Sequence, residues 1–441
     1  MTPVTRNDKQ PAAWGEREAE AHLRSLELFG MRFGLDRMRR MMTALGSPQQ
    51  RYDSVHVLGT NGKTSTTRMI AAILQRHGLL SAAYTSPHLI SYRERLQVGE
   101  SDLGAERFAA AVARAAAAAT RVNRTLAGED HVTQFELLTA AALWEVAERG
   151  AQVAVVEAGL GGRYDATSVI DAEVTVLTNV GLEHTRWLGP TVHDIAEEKL
   201  AVLRPGGTLV LGAGLASEAR SVAERVAGER GARIISVESA EQAERPAANG
   251  VFQQRNFALA RLAAETYLRG AGIEPDERAI ADAAAQTEVR GRLQVIGDAP
   301  LTVLDGAHNP DAVRALVESL PALLRDRPLG LVLGVLEDKD AVGMLGPLLA
   351  LSERAWFTAP PSGRALSPAA LQSLARQLGF EAVSCEAHPA QALAEAQRWA
   401  RERGAAVLAT GSVYLVGELL GGLQAEASAE DSQARRRRAS S

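Results

Sequence analysis

Four lysines stand against 44 arginines in this 441-residue chain. Three of the four occupy segments that could do chemistry: Lys63 in GTNGKTS, Lys199 in IAEEKLAVLRPG and Lys339 in GVLEDKD. The fourth, Lys9, sits in a polar leader. Where arginine supplies nearly all the positive charge, a retained lysine marks a place where a planar guanidinium will not serve. An ammonium is a compact point charge that fits between phosphate oxygens, and its amine can be neutralised and made to react. Chance placement is the competing reading, and it weighs most on Lys339.

Gly59-Thr60-Asn61-Gly62-Lys63-Thr64-Ser65 falls between an apolar strand, 53–58, and a helical segment, 63–77, that Gly78 stops. The glycines let the backbone curl so that its amides face inward, and the helix start adds partial positive charge. Lys63 can then reach β- and γ-phosphates while a hydroxyl of Thr64 or Ser65 meets Mg²⁺. The loop is shorter than an eight-residue Walker A motif, because Val57 stands where that motif has its first glycine.

Glu157 ends a second apolar run, at the sheet edge where ligands bind in parallel sheets, and is suited to hold Mg²⁺ against phosphates. The glycines after it do not complete GxGxxG, since Tyr164 takes the last position. His184 follows a third apolar run, with Lys199 on the next helix; a lone structural histidine is the bland alternative. Further along lie Arg292 in VRGRLQ, then Asp305, His308 and Asn309 in VLDGAHNP. Groups on a separate domain reach a nucleotide only if the domains close on it, so closure over ATP is expected.

These residues need elements to position them. Short β-type runs at 53–58, 80–84, 151–156, 173–177, 208–211 and 233–237 alternate with helix-periodic stretches. A second series, at 301–304, 329–336, 355–358 and 405–409, has helices beginning near Pro310, Asp340, Ser367 and Pro389. This alternation predicts an α/β fold, an N-terminal domain with a mostly parallel sheet and a smaller Rossmann-like C-terminal α/β domain, divided near Ile296.

A net charge of -5 and a pI near 6.1 argue against general nucleic-acid or membrane-surface binding. No uninterrupted apolar stretch approaches the ~18 residues of a membrane span. The single cysteine, Cys385, forms no internal disulfide. Cytoplasmic localisation is the expectation, and the arginine-rich tail 424–441 reads as disordered.

The ordered set FGMRFGLDRM, VLGTNGKTST, YTSPHLISYRERL, VTQFELLTAAAL, VVEAGLGGRYDATSVI, LTNVGLEHTRWLG, LDGAHNP, EDKD and TGSVYLVGEL resembles the folylpolyglutamate synthase and dihydrofolate synthase family of the Mur ligase superfamily. The resemblance implies an ATP-dependent ligase that joins L-glutamate to dihydropteroate or a folate through an acyl phosphate, releasing ADP and phosphate. It implies ATP and Mg²⁺ as cofactors, two ions being expected and a monovalent cation a further candidate. Residues 1–296 would be the Mur-ligase-type ATP-binding domain and 297–423 the glutamate-ligase domain. Carried over by motif, Ser86, Glu157 and His184 are magnesium ligands, with Lys199 carbamylated near the second ion. Arg292, Asp305 and His308 reach the ATP phosphates, and Asn256 belongs to the nucleotide site. Ser86, Arg93, Arg95 and Phe135 lie beside the pterin-bearing substrate, and Lys63, Lys199 and His308 are the catalytic candidates. A monomer is expected. The alternatives are a Mur-type peptide ligase acting on a UDP-linked precursor and a P-loop ATPase without ligase activity.

Overall fold

The computed structural model describes residues 14–26, 34–128, 130–238 and 245–425. Lys9, Phe29–Phe33 of the upstream motif and the tail expected to be disordered beyond Ala425 lie outside the described residues.

Strands β1 (Asp53–Leu58), β2 (Ser81–Tyr84), β3 (Leu96–Val98), β4 (Ser101–Asp102), β5 (Val153–Glu157), β6 (Val174–Leu177), β7 (Thr208–Leu211) and β8 (Arg233–Ser236) form one sheet in the order β4-β3-β2-β5-β1-β6-β7-β8. All pairs from β2 to β8 are parallel, and β3 and β4 add an antiparallel edge. The central strands are apolar on both faces because both faces are covered. One face packs Val55, Val57 and Val155 against the helices Lys63–Arg76 and Val251–Gly270. On the other, Ala82, Tyr84, Ala154 and Val156 meet the helices Ala105–Asn123 and Gln134–Glu148. The ends of β1, β5 and β6 thereby bring Gly59, Glu157 and Thr178 to one edge of the sheet.

The second sheet contains β9 (Gln294–Asp298), β10 (Leu301–Leu304), β11 (Leu329–Leu333), β12 (Arg354–Phe357), β13 (Val383–Cys385) and β14 (Ala406–Thr410), in the order β13-β12-β11-β14-β10-β9. Only the β9–β10 pair is antiparallel. Position 296 lies within β9, so the strand that crosses it pairs with the second sheet. Its core buries Leu316, Leu331, Leu333, Met344 and Phe357. β11 ends at Leu333 rather than at Leu336, because the chain turns away to pair Leu336 with Ala365 in an isolated antiparallel bridge. Helices start at Pro310, Ala341, Pro368 and Pro389, with Asn309, Asp340 and Ser367 as side-chain caps of the first three.

Candidate active site

The turn after β1 needs glycine at two points. Gly59 and Gly62 hold φ of 144° and 81°. A Cβ on Gly59 would stand 1.9 Å from Thr178 Oγ1, and one on Gly62 would stand 2.5 Å from Asn256 Oδ1. The end of β6 braces the loop: Thr178 Oγ1 donates to the Asn61 carbonyl at 2.6 Å, and the Asn61 N–H donates to Asn179 Oδ1 at 2.9 Å. No side chain caps the helix Lys63–Arg76 behind it. Its first amides are thus left to an anion from outside the helix. Lys63 Nζ donates to the Thr60 carbonyl at 3.1 Å and so spans the loop.

Glu157, the last residue of β5, is buried and accepts from Thr64 Oγ1 at 3.0 and 2.9 Å and from the Ser86 N–H at 3.1 Å. Burial pushes its carboxyl above the usual range, while Lys63, the Ser86 and Thr64 hydrogen bonds and Arg292 pull the other way. A cation beside it would offset the cost of that buried charge. Among the described residues no group of three or more His, Cys, Asp or Glu forms a metal cage. The hydroxyl-plus-carboxylate pair of Thr64 and Glu157 instead fits Mg²⁺, which takes few protein oxygens and completes its shell with water and phosphate. Thr64, not the buried Ser65, faces the carboxylate.

Lys199 lies on the helix Val192–Leu200, whose start is fixed by a reciprocal Thr191–Asp194 cap. Its Nζ is buried and donates to the Gly59 carbonyl at 2.8 Å. Burial, with Lys63 adding to it, brings the amine down to about 7. His184 adopts a left-handed φ of 54° at the start of the short helix Thr185–Leu188. Burial lowers its pKa to about 4; Glu183 opposes this, while Lys339, Lys63 and Lys199 reinforce it.

The second lobe reaches the same place. Glu183 Oε1 meets Lys339 Nζ at 2.9 Å and His308 Nε2 at 3.3 Å. Burial alone would raise the Glu183 pKa, but His308, Lys339 and His184 together hold it well below the carboxylate range. Asn61 and Asn309 exchange two hydrogen bonds, Asn61 Nδ2 to Asn309 Oδ1 at 3.2 Å and Asn309 Nδ2 to Asn61 Oδ1 at 3.0 Å. Asp305, buried with its pKa raised by burial against Arg292, accepts from the Leu293 and Ala307 amides at 2.9 and 2.7 Å and so shapes the turn that carries His308. Arg292 lies over Gly306, and its charge is felt at Glu157. Between the lobes a cleft of about 520 Å³ is lined by Thr64, Arg68, Pro87, Glu94, Arg290 and Arg292 among others.

The loop, Glu157, His184, Lys199, Asn256, Arg292, Asp305 and His308 therefore gather around one crevice. Arg93 and Arg95 lie in a separate cavity of about 300 Å³ with Tyr84, Tyr92 and Phe108. There Arg95 Nε donates to His88 Nδ1 at 3.1 Å. Phe135 is in neither set of lining residues; it packs against Gly159, where a Cβ would come within 2.5 Å of its Cζ and 3.1 Å of Asp165 Oδ2. Reasoning from the chain missed the roles of Thr178, Asn179 and Glu183. The polar TN pair directly after the apolar run VTVL was the available signal for the first two.

Residues 57–260 match the Mur ligase middle domain, and residues 291–413 match the Mur ligase glutamate ligase domain. The chain is 32% identical to the dihydrofolate synthase/folylpolyglutamate synthase of Escherichia coli over 427 residues, covering 93% of this chain and 94% of that protein. It is 34% identical to the folylpolyglutamate synthase of Lacticaseibacillus casei over 363 residues, covering 76% and 84%. Among solved structures, Mycobacterium tuberculosis folylpolyglutamate synthase complexed with ADP superposes with a TM-score of 0.85 at 28% identity, over 91% of this chain and 96% of that one. E. coli FolC in complex with DHPP and ADP superposes with a TM-score of 0.82 at 29% identity, over 95% and 99%. With both Mur ligase domains present in order and the match running nearly end to end, the chain belongs to the folylpolyglutamate synthase/dihydrofolate synthase family of ADP-forming ligases.

Proposed function

We propose that the protein joins the α-amine of L-glutamate to the carboxylate of dihydropteroate, of reduced folates, or of both, with ATP converting that carboxylate to an acyl phosphate. A carboxylate is a poor electrophile, and two anions must approach during phosphoryl transfer. Lys63 and the loop amides from Gly59 to Ser65 hold the β- and γ-phosphates in this reading, and Asn256 stands beside the loop. Arg292 and His308, oriented by Asp305, meet the phosphates from the other lobe. Mg²⁺ held by Thr64 and Glu157 supplies charge neutralisation to the phosphates. Ser86 and His184, with Lys199 carbamylated, are the residues we assign to a second ion. A Lys199 amine brought down to about 7 is available in the neutral form that carbamylation needs. Arg93, Arg95 and Phe135 take the pterin-bearing substrate.

We assign an ATP-binding lobe through residue 296 and a glutamate-ligase lobe over 297–423, with β9 crossing from one to the other. We place the protein in the cytoplasm as a monomer, acting on small molecules. Among the described residues no helix is long and apolar enough to cross a membrane.

The observation that carries this reading is the landing of Asn309, His308 and Lys339 on Asn61 and Glu183, within and beside the phosphate loop. The test is ADP release with L-glutamate and, in turn, dihydropteroate, tetrahydrofolate and a UDP-linked muramoyl precursor. Glutamate-dependent release with a pteroate or folate is expected. ATP hydrolysis indifferent to glutamate, or turnover with the UDP-linked precursor alone, would refute it.

A further inference from the structure

The interlobe cleft is electrostatically lopsided: three arginines, Arg68, Arg290 and Arg292, face one carboxylate, Glu94. That carboxylate is already occupied. Glu94 accepts from the Leu89, Ile90 and Ser91 amides at 2.9, 3.1 and 2.9 Å and so shapes the loop after cis-Pro87. Its Oε1 is 3.8 Å from Arg290 Nη1, beyond hydrogen-bonding reach. Arg68 donates one hydrogen bond, to the Glu94 carbonyl at 3.1 Å, and stands 3.9 Å from Asp102. Among the described residues the side chains of Arg290 and Arg292 make no hydrogen bond with the protein. Half-buried guanidiniums without hydrogen-bond acceptors, lining the same cleft as Arg68, are arranged for an anionic ligand, and their fork geometry matches a carboxylate. Thr64 lines the same cleft, which puts the ligand next to the phosphate loop.

We propose that Arg290, with Arg68, forms a subsite for the carboxylates of a glutamate unit in this cleft; the inference rests on the ligase reading above. Arg292 is left to the phosphates. Two sources offer that chemistry: the incoming amino acid, and the last glutamate of a folate acceptor. Dihydropteroate carries no glutamate and separates them.

The experiment compares full-length wild type, Arg290→Ala and Arg290→Lys by initial rates of ADP release, with thermal melts to confirm folding. Glutamate is varied at saturating dihydropteroate and at saturating tetrahydrofolate, and each acceptor is varied in turn. Arg290→Ala should raise one KM by about 10- to 100-fold, the effect of a lost charge-assisted hydrogen bond, with kcat nearly kept and Arg290→Lys recovering part of the loss. A rise in the glutamate KM with both acceptors assigns the subsite to the incoming amino acid. If the tetrahydrofolate KM rises while that of dihydropteroate stays put, the subsite holds the acceptor's tail. Wild-type-like KM values throughout would overturn the proposal, as would an equal rise for dihydropteroate, which signals a displaced Glu94 loop. Wild type that releases no ADP in response to glutamate would instead bring down the ligase reading itself.

Discussion

Asn309 does two jobs that substitution can separate. Its Oδ1 caps the helix Pro310–Leu324 by accepting from the Ala312 amide at 2.8 Å, and its side chain exchanges two hydrogen bonds with Asn61 across the lobes. Asn309→Ala removes both. A lost cap costs about 1 kcal/mol and each hydrogen bond about 0.5–1.5 kcal/mol, so a destabilisation of about 2–4 kcal/mol is expected. Asn309→Asp keeps a good cap and keeps the acceptor for Asn61 Nδ2, but it loses the donor and sets an oxygen against Asn61 Oδ1. It should cost about 0.5–1.5 kcal/mol of stability, less than Asn309→Ala, because the cap and one of the two hydrogen bonds remain. The loop would lose half of its tie to the second lobe, lowering kcat/KM for ATP by about 5- to 20-fold, equivalent to roughly 1–2 kcal/mol. Denaturant melts and ADP-release kinetics on both variants, closed into a double-mutant cycle with Asn61→Ala, measure the two effects apart. Additive behaviour in the cycle, or Asn309→Asp with wild-type kcat/KM for ATP, would refute the view that this amide pair couples the phosphate loop to the second lobe.

Other consequences follow from the same geometry. Lys63→Ala should abolish ligation while leaving the fold intact, because among the described residues its Nζ donates only to the Thr60 carbonyl; near wild-type turnover would remove the phosphate-loop assignment. His184→Ala should weaken magnesium-dependent activity far more than thermal stability, and equal losses would mark a structural histidine. Gly162→Ala places a Cβ 2.4 Å from the Lys199 carbonyl, so it should destabilise by about 1–3 kcal/mol and disturb Lys199. Gly228→Ala, in open space on the helix Ser217–Arg230, is the control that should stabilise slightly. For Lys199 the folded pKa of about 7 lies below the unfolded value, so between there and about 10.4 the unfolded chain binds more protons. The penalty of burying this amine is full below about pH 7 and is relieved as pH rises across that window. Urea melts of the unmodified protein should therefore show stability gained from pH 7 to 9, and Lys199→Met should lose that gain.

Much of the architecture was legible in the chain. Strands buried on both faces read as short β-type runs rich in Val and Leu, and β1, β7 and β10 fall where those runs place them. The caps Asn309, Asp340 and Ser367 mark helix starts by local chemistry that no tertiary contact overrides. The two-residue edge β4, and β9 and β13 at the margins of the second sheet, carry too little apolar signal to stand out. At the site, Lys63, Glu157 and Lys199 announce themselves by type and by their place after strands. Pairings such as Asn61 with Asn309, or Glu183 with Lys339, join residues far apart in the chain and on different lobes. No spacing rule encodes a contact of that kind. Arg93 and Arg95 follow Ser86 by only seven and nine residues yet line another cavity, a separation that sequence distance does not reveal.

The central claim is that this crevice activates a carboxylate with ATP before an amine attacks it. Dihydropteroate labelled with ¹⁸O in its carboxylate, incubated with ATP, L-glutamate and the enzyme, tests it directly by mass analysis of the released phosphate. The account predicts one ¹⁸O transferred to phosphate for each amide formed. Phosphate free of label, with amide product accumulating, would contradict it.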